Sequence, residues 1–389
     1  MEIINELLLA TDSHGNTTWH LAAEKGQLDV LQKIREWAKE NLTAEELSNI
    51  LLLATDSDGN TAWQLAAEKG DLDFLQKIWE WAKENLTSDE IINELLLATD
   101  SNGNTAWHLA AEKGQLDILQ KIWEWAKENL RTEMSNKLLL ATDHKGRTAW
   151  NVAVTRSDLN VLQKITKWYK ENLKREDLKN NLLATDSKGN TAWHVAAEKS
   201  KLDVLQIIWA LAKENLTPEE IINQLLLATD SDGNTAWHLA AQNGQLDVLQ
   251  KIWEWAKENL TKEEISTELL LATDHKGRTA WHVAVKVRNL TVLQQIMEWD
   301  KHNVKRKDLR NKLLFYTDSD GNTAWHLAAY VWYLDLLQDI WMLAKENLTT
   351  EEIINKFCLA TNHEGRTAFH VAAECGKLQV LQKIVEWDK

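Results

Sequence analysis

Histidine beside an aromatic ring with a carboxylate one helical turn away could bind a metal or move a proton, and NTAWHLAAEKG, residues 104–114, sets Trp107-His108 four positions before Glu112. His20, His194, His238, His282, His326 and His370 also follow an aromatic residue. At the equivalent places, however, stand Gln64 and Asn151. A metal ligand or general base would not be exchanged for an amide and then restored, whereas a group that only hydrogen-bonds a neighbouring turn tolerates the exchange. HExxH is absent, so zinc of that type is not indicated. A structural role is therefore expected for these side chains.

Two other patterns meet the same test. Asp56–Asn60, Asp230–Asn234 and Asp318–Asn322 read DSDGN, like the opening of a calcium loop, but the twelfth position counted from Asp56 is Ala67, not a bidentate glutamate. Asp, Ser, Asn and Gly suit a tight turn that leads into a helix cap. Asn-Leu-Thr at Asn41, Asn85, Asn215, Asn259, Asn289 and Asn347 matches a glycosylation sequon. In five of these the asparagine ends one helix and the threonine starts another, which accounts for the text without sugar. No GxSxG, phosphate loop, strand-borne GxGxxG or Cys-His pair with an orienting group occurs, so no enzyme, cofactor or metal site is expected.

The elements that carry these residues repeat. The anchor aromatic returns at Trp19, Trp63, Trp107, Trp150, Trp193, Trp237, Trp281, Trp325 and Phe369, 43 or 44 residues apart. Twenty-one tryptophans against four phenylalanines and four tyrosines fit duplication of one unit. With one proline and abundant Leu, Ala, Glu and Lys, the class expected is all-α. In residues 231–274, a first helix opens after Thr235 and breaks at Asn243-Gly244. A second starts near Leu246, with Leu246, Leu249, Ile252, Trp253 and Ala256 on one stripe. A third starts at the capping box Thr261–Glu264, a device repeated at Thr43–Glu46, Thr87–Glu90, Thr217–Glu220 and Thr349–Glu352, with Pro218 in the first helical position. No such helix buries its apolar stripe alone; stacked copies do, which makes residues 1–389 one continuous solenoid.

GxTxxHxAAxxG resembles the ankyrin repeat, whose GxTPLHxAAxxG core is matched by GNTAWHLAAEKG at residues 103–114, with LDVLQKI resembling its second helix. Each copy adds about 11 residues to the family's usual 33. The resemblance implies an all-α repeat solenoid of about nine ankyrin-like units, each with two helices plus a third capped helix. An armadillo- or HEAT-like α-solenoid is the alternative. It also implies a structural histidine and a non-enzymatic protein-binding or scaffolding module.

Partner contacts are expected where the copies differ. The turn between the first two helices reads EKGQ, EKGD, EKGQ, TRSD, EKSK, QNGQ, KVRN, YVWY and ECGK. In ankyrin-like arrays it lies toward the ligand-binding side, so Tyr330, Val331, Trp332 and Tyr333 are candidate anchors. Basic patches occur at Lys174 and Arg175 and at Lys305, Arg306, Lys307 and Arg310, within residues 167–180 and 300–312 of copies four and seven. Both copies share HKGRTAW. A net charge of −15 disfavours nucleic acid. No apolar run spans a bilayer, so membrane association is not expected. Two cysteines, Cys358 and Cys375, give no disulfide framework, and a cytoplasmic protein is expected. The chain opens in a third helix and stops in a second without polar caps, so either it is a piece of a longer array or it associates head-to-tail with copies of itself; homotypic assembly into filaments or a larger array is the competing function.

Overall fold

Threonine at the start of each copy decides where the chain turns helical. In a computed structural model, which describes residues 6–8, 10–43, 46, 51–129, 131–303, 312–331 and 334–387, Thr105 is extended (φ −81°, ψ 167°) and its side chain accepts the backbone amide of His108. The His108 side chain in turn faces the Thr105 amide, a capping box closed by histidine in place of glutamate. The helix Ala106–Glu112 follows, then Leu116–Asn129, as in the residues 231–274 copy with Ala236–Gln242 and Leu246–Asn259. Between the two helices the chain passes through the left-handed region. Glycine fills it in copies one, two, three, six and nine, whereas Ser157 (φ 62°), Ser200 (φ 56°) and Arg288 (φ 61°) stand there in copies four, five and seven. A non-glycine residue costs about 1 kcal/mol at such a place.

The described residues fall into two units, 1–187 and 188–389. In residues 1–187, the first helices Thr18–Lys25, Ala62–Lys69, Ala106–Glu112 and Ala149–Arg156 pack each against the next. In residues 188–389, Ala192–Glu198, Ala236–Gln242, Ala280–Lys286, Ala324–Val331 and Ala368–Glu374 do the same. Anchor tryptophans fill both interiors: all eight are at most 2% exposed. Each of five anchors meets two further indoles, one from its own second helix and one from the copy that follows. Trp63 lies 6.2 Å from Trp79 and 6.0 Å from Trp125, and these two stack at 5.1 Å. Trp107, Trp193, Trp237 and Trp325 repeat the pattern with Trp123 and Trp168, Trp209 and Trp255, Trp253 and Trp299, and Trp341 and Trp387. Offset and tilted ring pairs of this kind add roughly 0.5–1.5 kcal/mol each to their burial.

The third segment is helical as expected, but its winding differs between copies. Ser88–Glu90, Pro218–Ile221, Lys262–Glu264 and Thr350–Glu352 each form one capped α-turn that widens into a π-helix: Ile91–Leu96, Ile222–Leu226, Ile265–Leu269 and Ile353–Cys358. Each closes with an amide bonded five residues back, as from Leu97 to the Ile92 carbonyl at 2.9 Å. Copies three and four instead hold regular α-helices, Thr132–Leu140 and Arg175–Leu183. The difference is one residue. Asp100 stands 15 positions after Asn85, whereas Asp143 and Asp186 stand 14 after Asn129 and Asn172. In the longer segments the buried positions are Ile91 with Leu95 and Leu96, or Ile265 with Leu269 and Leu270; in the shorter, Ser135 with Leu138 and Leu139. Three-to-four spacing is met by α-winding, and four-to-five spacing keeps one inner face only when the turn widens. The 43- and 44-residue periods are thus two windings of one segment.

Candidate partner-binding surface

The repeated histidine is a clamp. Nδ1 of His20 receives the Thr17 backbone N–H at 3.2 Å, so that nitrogen carries no proton, and Nε2–H donates at 3.0 Å to the carbonyl of Ala54, which leads from the third segment into the following copy. His108, His194, His238, His282 and His326 use the same two ends, on the carbonyls of Arg147, Ala228, Ala272, Tyr316 and Arg366. Gln64 reproduces the arrangement atom for atom: Oε1 accepts the Thr61 amide at 2.8 Å, and Nε2 donates to Ala98 and Asn104 carbonyls. Asn151 keeps the Thr148 half, at 3.0 Å. Burial pushes His20, His108, His238 and His326 below the ordinary imidazole range, and His282 down to about 4. These rings are neutral at physiological pH and serve as links between copies, as the Gln/Asn exchange led us to expect. Glu112 takes no part; it pairs with Arg156. Among the described residues, no group of three or more His, Cys, Asp or Glu is placed to hold a metal.

The acidic turns are also structural. Asp56 Oδ1 accepts the amides of Asp58 at 3.0 Å and Asn60 at 2.8 Å, fixing the tight turn before the Thr61 cap. Successive turns are tied edge to edge: the amides of Ser57, Ser101 and His144 donate to the carbonyls of His14, Asp58 and Asn102 at 2.9–3.0 Å. A Cβ at Gly103 would stand 2.5 Å from the His144 nitrogen, and at φ +80°, so glycine is required there twice over. The Asn-Leu-Thr side chains are likewise occupied. Asn85 donates to the Trp81 carbonyl at 2.7 Å, and Thr87 closes its box with Glu90.

Of the variable-turn residues, Tyr330 is 62% exposed at the end of Ala324–Val331, and Val331 beside it is half-buried. Trp332 and Tyr333 lie outside the described residues. Lys174 and Arg175 are exposed at the start of Arg175–Leu183, followed at once by Glu176 and Asp177; Lys305, Arg306, Lys307 and Arg310 lie outside the described residues. One further residue was not singled out from sequence. Val287 is 40% exposed at the end of Ala280–Lys286, the helix that packs beside Ala324–Val331. Val287 and Val331 stand six positions after their anchors, where copies one to five carry Lys25, Lys69, Lys113, Arg156 and Lys199 and copy six carries Asn243. In residues 1–187 this ridge is ionic, with Lys113 on Glu68 at 3.0 Å and Arg156 on Glu112. In copy eight it becomes apolar, and in copy seven Val287 stands between exposed Lys286 and Arg288.

Repeat period, threonine-capped helix pairs and stacked first helices are the architecture of the family whose model matches the chain at residues 102–132 and 232–260, the ankyrin repeat. Copies three and six are matched as ankyrin repeats. The matched residues cover the first and second helices of copies three and six and stop where the additional third segment begins or continues. No curated protein matches the chain. Ankyrin repeats generally mediate protein–protein interaction. Among the described residues, no helix is long and apolar enough to cross a membrane.

Proposed function

We propose that this ankyrin-repeat chain is a non-enzymatic intracellular scaffold, with its nine copies forming one array, that grips a protein partner on the ridge where first helices end in copies seven and eight. The observation that carries this reading is the exposure of Tyr330, with Val331 and Val287 on adjacent helix ends, where copies two to four present ion-paired lysine, arginine and glutamate. An exposed aromatic flanked by aliphatic side chains has the composition of an interface anchor, whose truncation costs about 2 kcal/mol or more. Affinity capture with the wild-type chain and Tyr330→Ala tests it. A partner retained by the first and lost from the second is expected; equal retention would move binding off this ridge.

A further inference from the structure

Five positions past the anchor, copies one, two, three, five and nine carry glutamate, whereas copies six, seven and eight carry Gln242, Lys286 and Tyr330. In residues 1–187 that glutamate holds the cation one position further along in the next copy: Lys113 meets Glu68 at 3.0 Å, and Arg156 pairs with Glu112. Ten positions past the anchor, copies six and eight carry Asp247 and Asp335, but copy seven has Thr291. Copy seven thus has no acid at either place.

Its cations are kept nonetheless. Lys286 and Arg288 flank Val287, all three are exposed, and neither cation has a carboxylate partner among the described residues. The helix dipole favours a cation at a helix C-terminus, which accounts for Lys286. It does not account for Arg288, which lies past the helix in the left-handed region at φ 61°, where glycine in five other copies is relaxed. Serine takes that place in copies four and five, but among the described residues only copy seven puts a charged side chain there, strained and without an ion pair in return. On one side Ala280–Lys286 packs against Ala236–Gln242, which ends in a neutral amide; on the other it packs against Ala324–Val331, whose end bears exposed Tyr330 and half-buried Val331. Two unpaired cations therefore stand beside an exposed aromatic ring and two valines.

We propose that the segment of the protein partner gripped on this ridge is acidic, a peptide stretch in which carboxylates alternate with bulky apolar side chains. Its carboxylates pair with Lys286 and Arg288, and its apolar side chains cover Val287, Val331 and the Tyr330 ring. Charge complementarity selects this occupant. The chain carries a net charge of −15, so an acidic segment is repelled by most of the surface and attracted where a copy has lost its acids and kept two cations unmatched. A nucleic-acid backbone is a poorer match, because two cations neutralise few phosphates and the side chain between them is aliphatic. The inference rests on the partner-binding reading above and names the chemistry of that partner.

The test uses the full chain and three labelled probes: a peptide of alternating glutamate and leucine, the same peptide with glutamine for glutamate, and a single-stranded oligonucleotide. Fluorescence anisotropy should show that the wild-type chain binds the glutamate peptide in preference to the other two, and less tightly as salt is raised. The double variant Lys286→Gln with Arg288→Gly should bind that peptide about fivefold to tenfold more weakly, as two exposed ion pairs are lost. Arg288→Gly alone should also weaken binding, yet raise the guanidinium midpoint, because the strained position is relaxed. Weaker binding by a more stable chain cannot come from misfolding. Glutamate and glutamine peptides bound alike, and both lost on Tyr330→Ala, overturn the acidic assignment and leave the ridge standing as an apolar binding surface. Absence of glutamate-peptide binding by the wild-type chain, binding that survives the double variant, or an oligonucleotide held by the same two cations each overturns the proposal.

Discussion

Copies two and four share turn, cap and anchor, yet they stabilise the anchor in different ways. Trp63 sits against Trp79 and Trp125 with its indole N–H unpartnered among the described residues. Trp150 has Thr166 where copy two has Trp79, and its N–H donates to the threonine hydroxyl at 2.9 Å. Copy four also spends one residue fewer on its third segment and winds it as an α-helix, where copy two carries the π-helix Ile91–Leu96. The comparison teaches that the anchor's burial is held fixed and its surroundings are interchangeable. Stacked rings compensate for an unmet donor in one copy, and a hydrogen bond replaces a ring in the other.

The largest effect should come from removing the stacked anchor. Trp63→Ala leaves a cavity bordered by Trp79 and Trp125 and is expected to cost about 3–5 kcal/mol. Trp150→Ala should cost roughly 1 kcal/mol less, because no ring pair is lost with it. Guanidinium unfolding of both variants checks the order, and equal losses would show that the Trp150–Thr166 hydrogen bond is worth as much as the ring contacts of Trp63.

Acid separates the copies next. His282 is buried and neutral with a folded pKa of about 4, against an ordinary value of 6.5. The unfolded chain therefore binds the proton first, so this residue's contribution is intact above pH 6.5 and is lost as pH falls toward 4, by about 3 kcal/mol. His20, His108, His238 and His326 are shifted in the same direction, while Gln64 and Asn151 do not titrate at all. His282→Gln should hold stability at neutral pH and move the acid unfolding midpoint to lower pH. An unchanged midpoint would place the acid-sensitive group elsewhere.

The smallest effect concerns winding. Deleting Asn93 gives copy two the segment length of copy four, and its π-helix should revert to α at a cost of no more than about 1 kcal/mol. Deleting Asn180 from the already regular Arg175–Leu183 helix turns Leu182 off the buried face and should cost several times as much. Comparable losses would mean that the wider turn is required where it occurs.

Much of this was legible in the text of the repeats. Thr105, Thr235 and Thr87 marked helix starts because a hydroxyl beside orphan amides has one obvious use, and the exchange of His108 for Gln64 disclosed a hydrogen-bonding role before any distance was known. The candidate surface was legible in part. The aromatic turn stood out at Tyr330 because it broke a pattern, while Val287 did not, since a lone valine in KVRN carries no signal until its helix is seen beside Ala324–Val331. The 43- and 44-residue spacing was visible too, but not its meaning: a single extra residue can enter a loop, a helix end or a widened turn, and local propensity does not choose among them.

Sequence by itself determined the period, the caps, the helix pairs and the replaceable histidine, because each follows from contacts within a few residues or from comparison of like positions. Tertiary packing decided the rest. Which rings meet, as Trp79 and Trp125 do at 5.1 Å, and which third segments widen depend on how far one copy must reach to bury its apolar side chains against the next. That distance is set between copies, where no local pattern of residues records it.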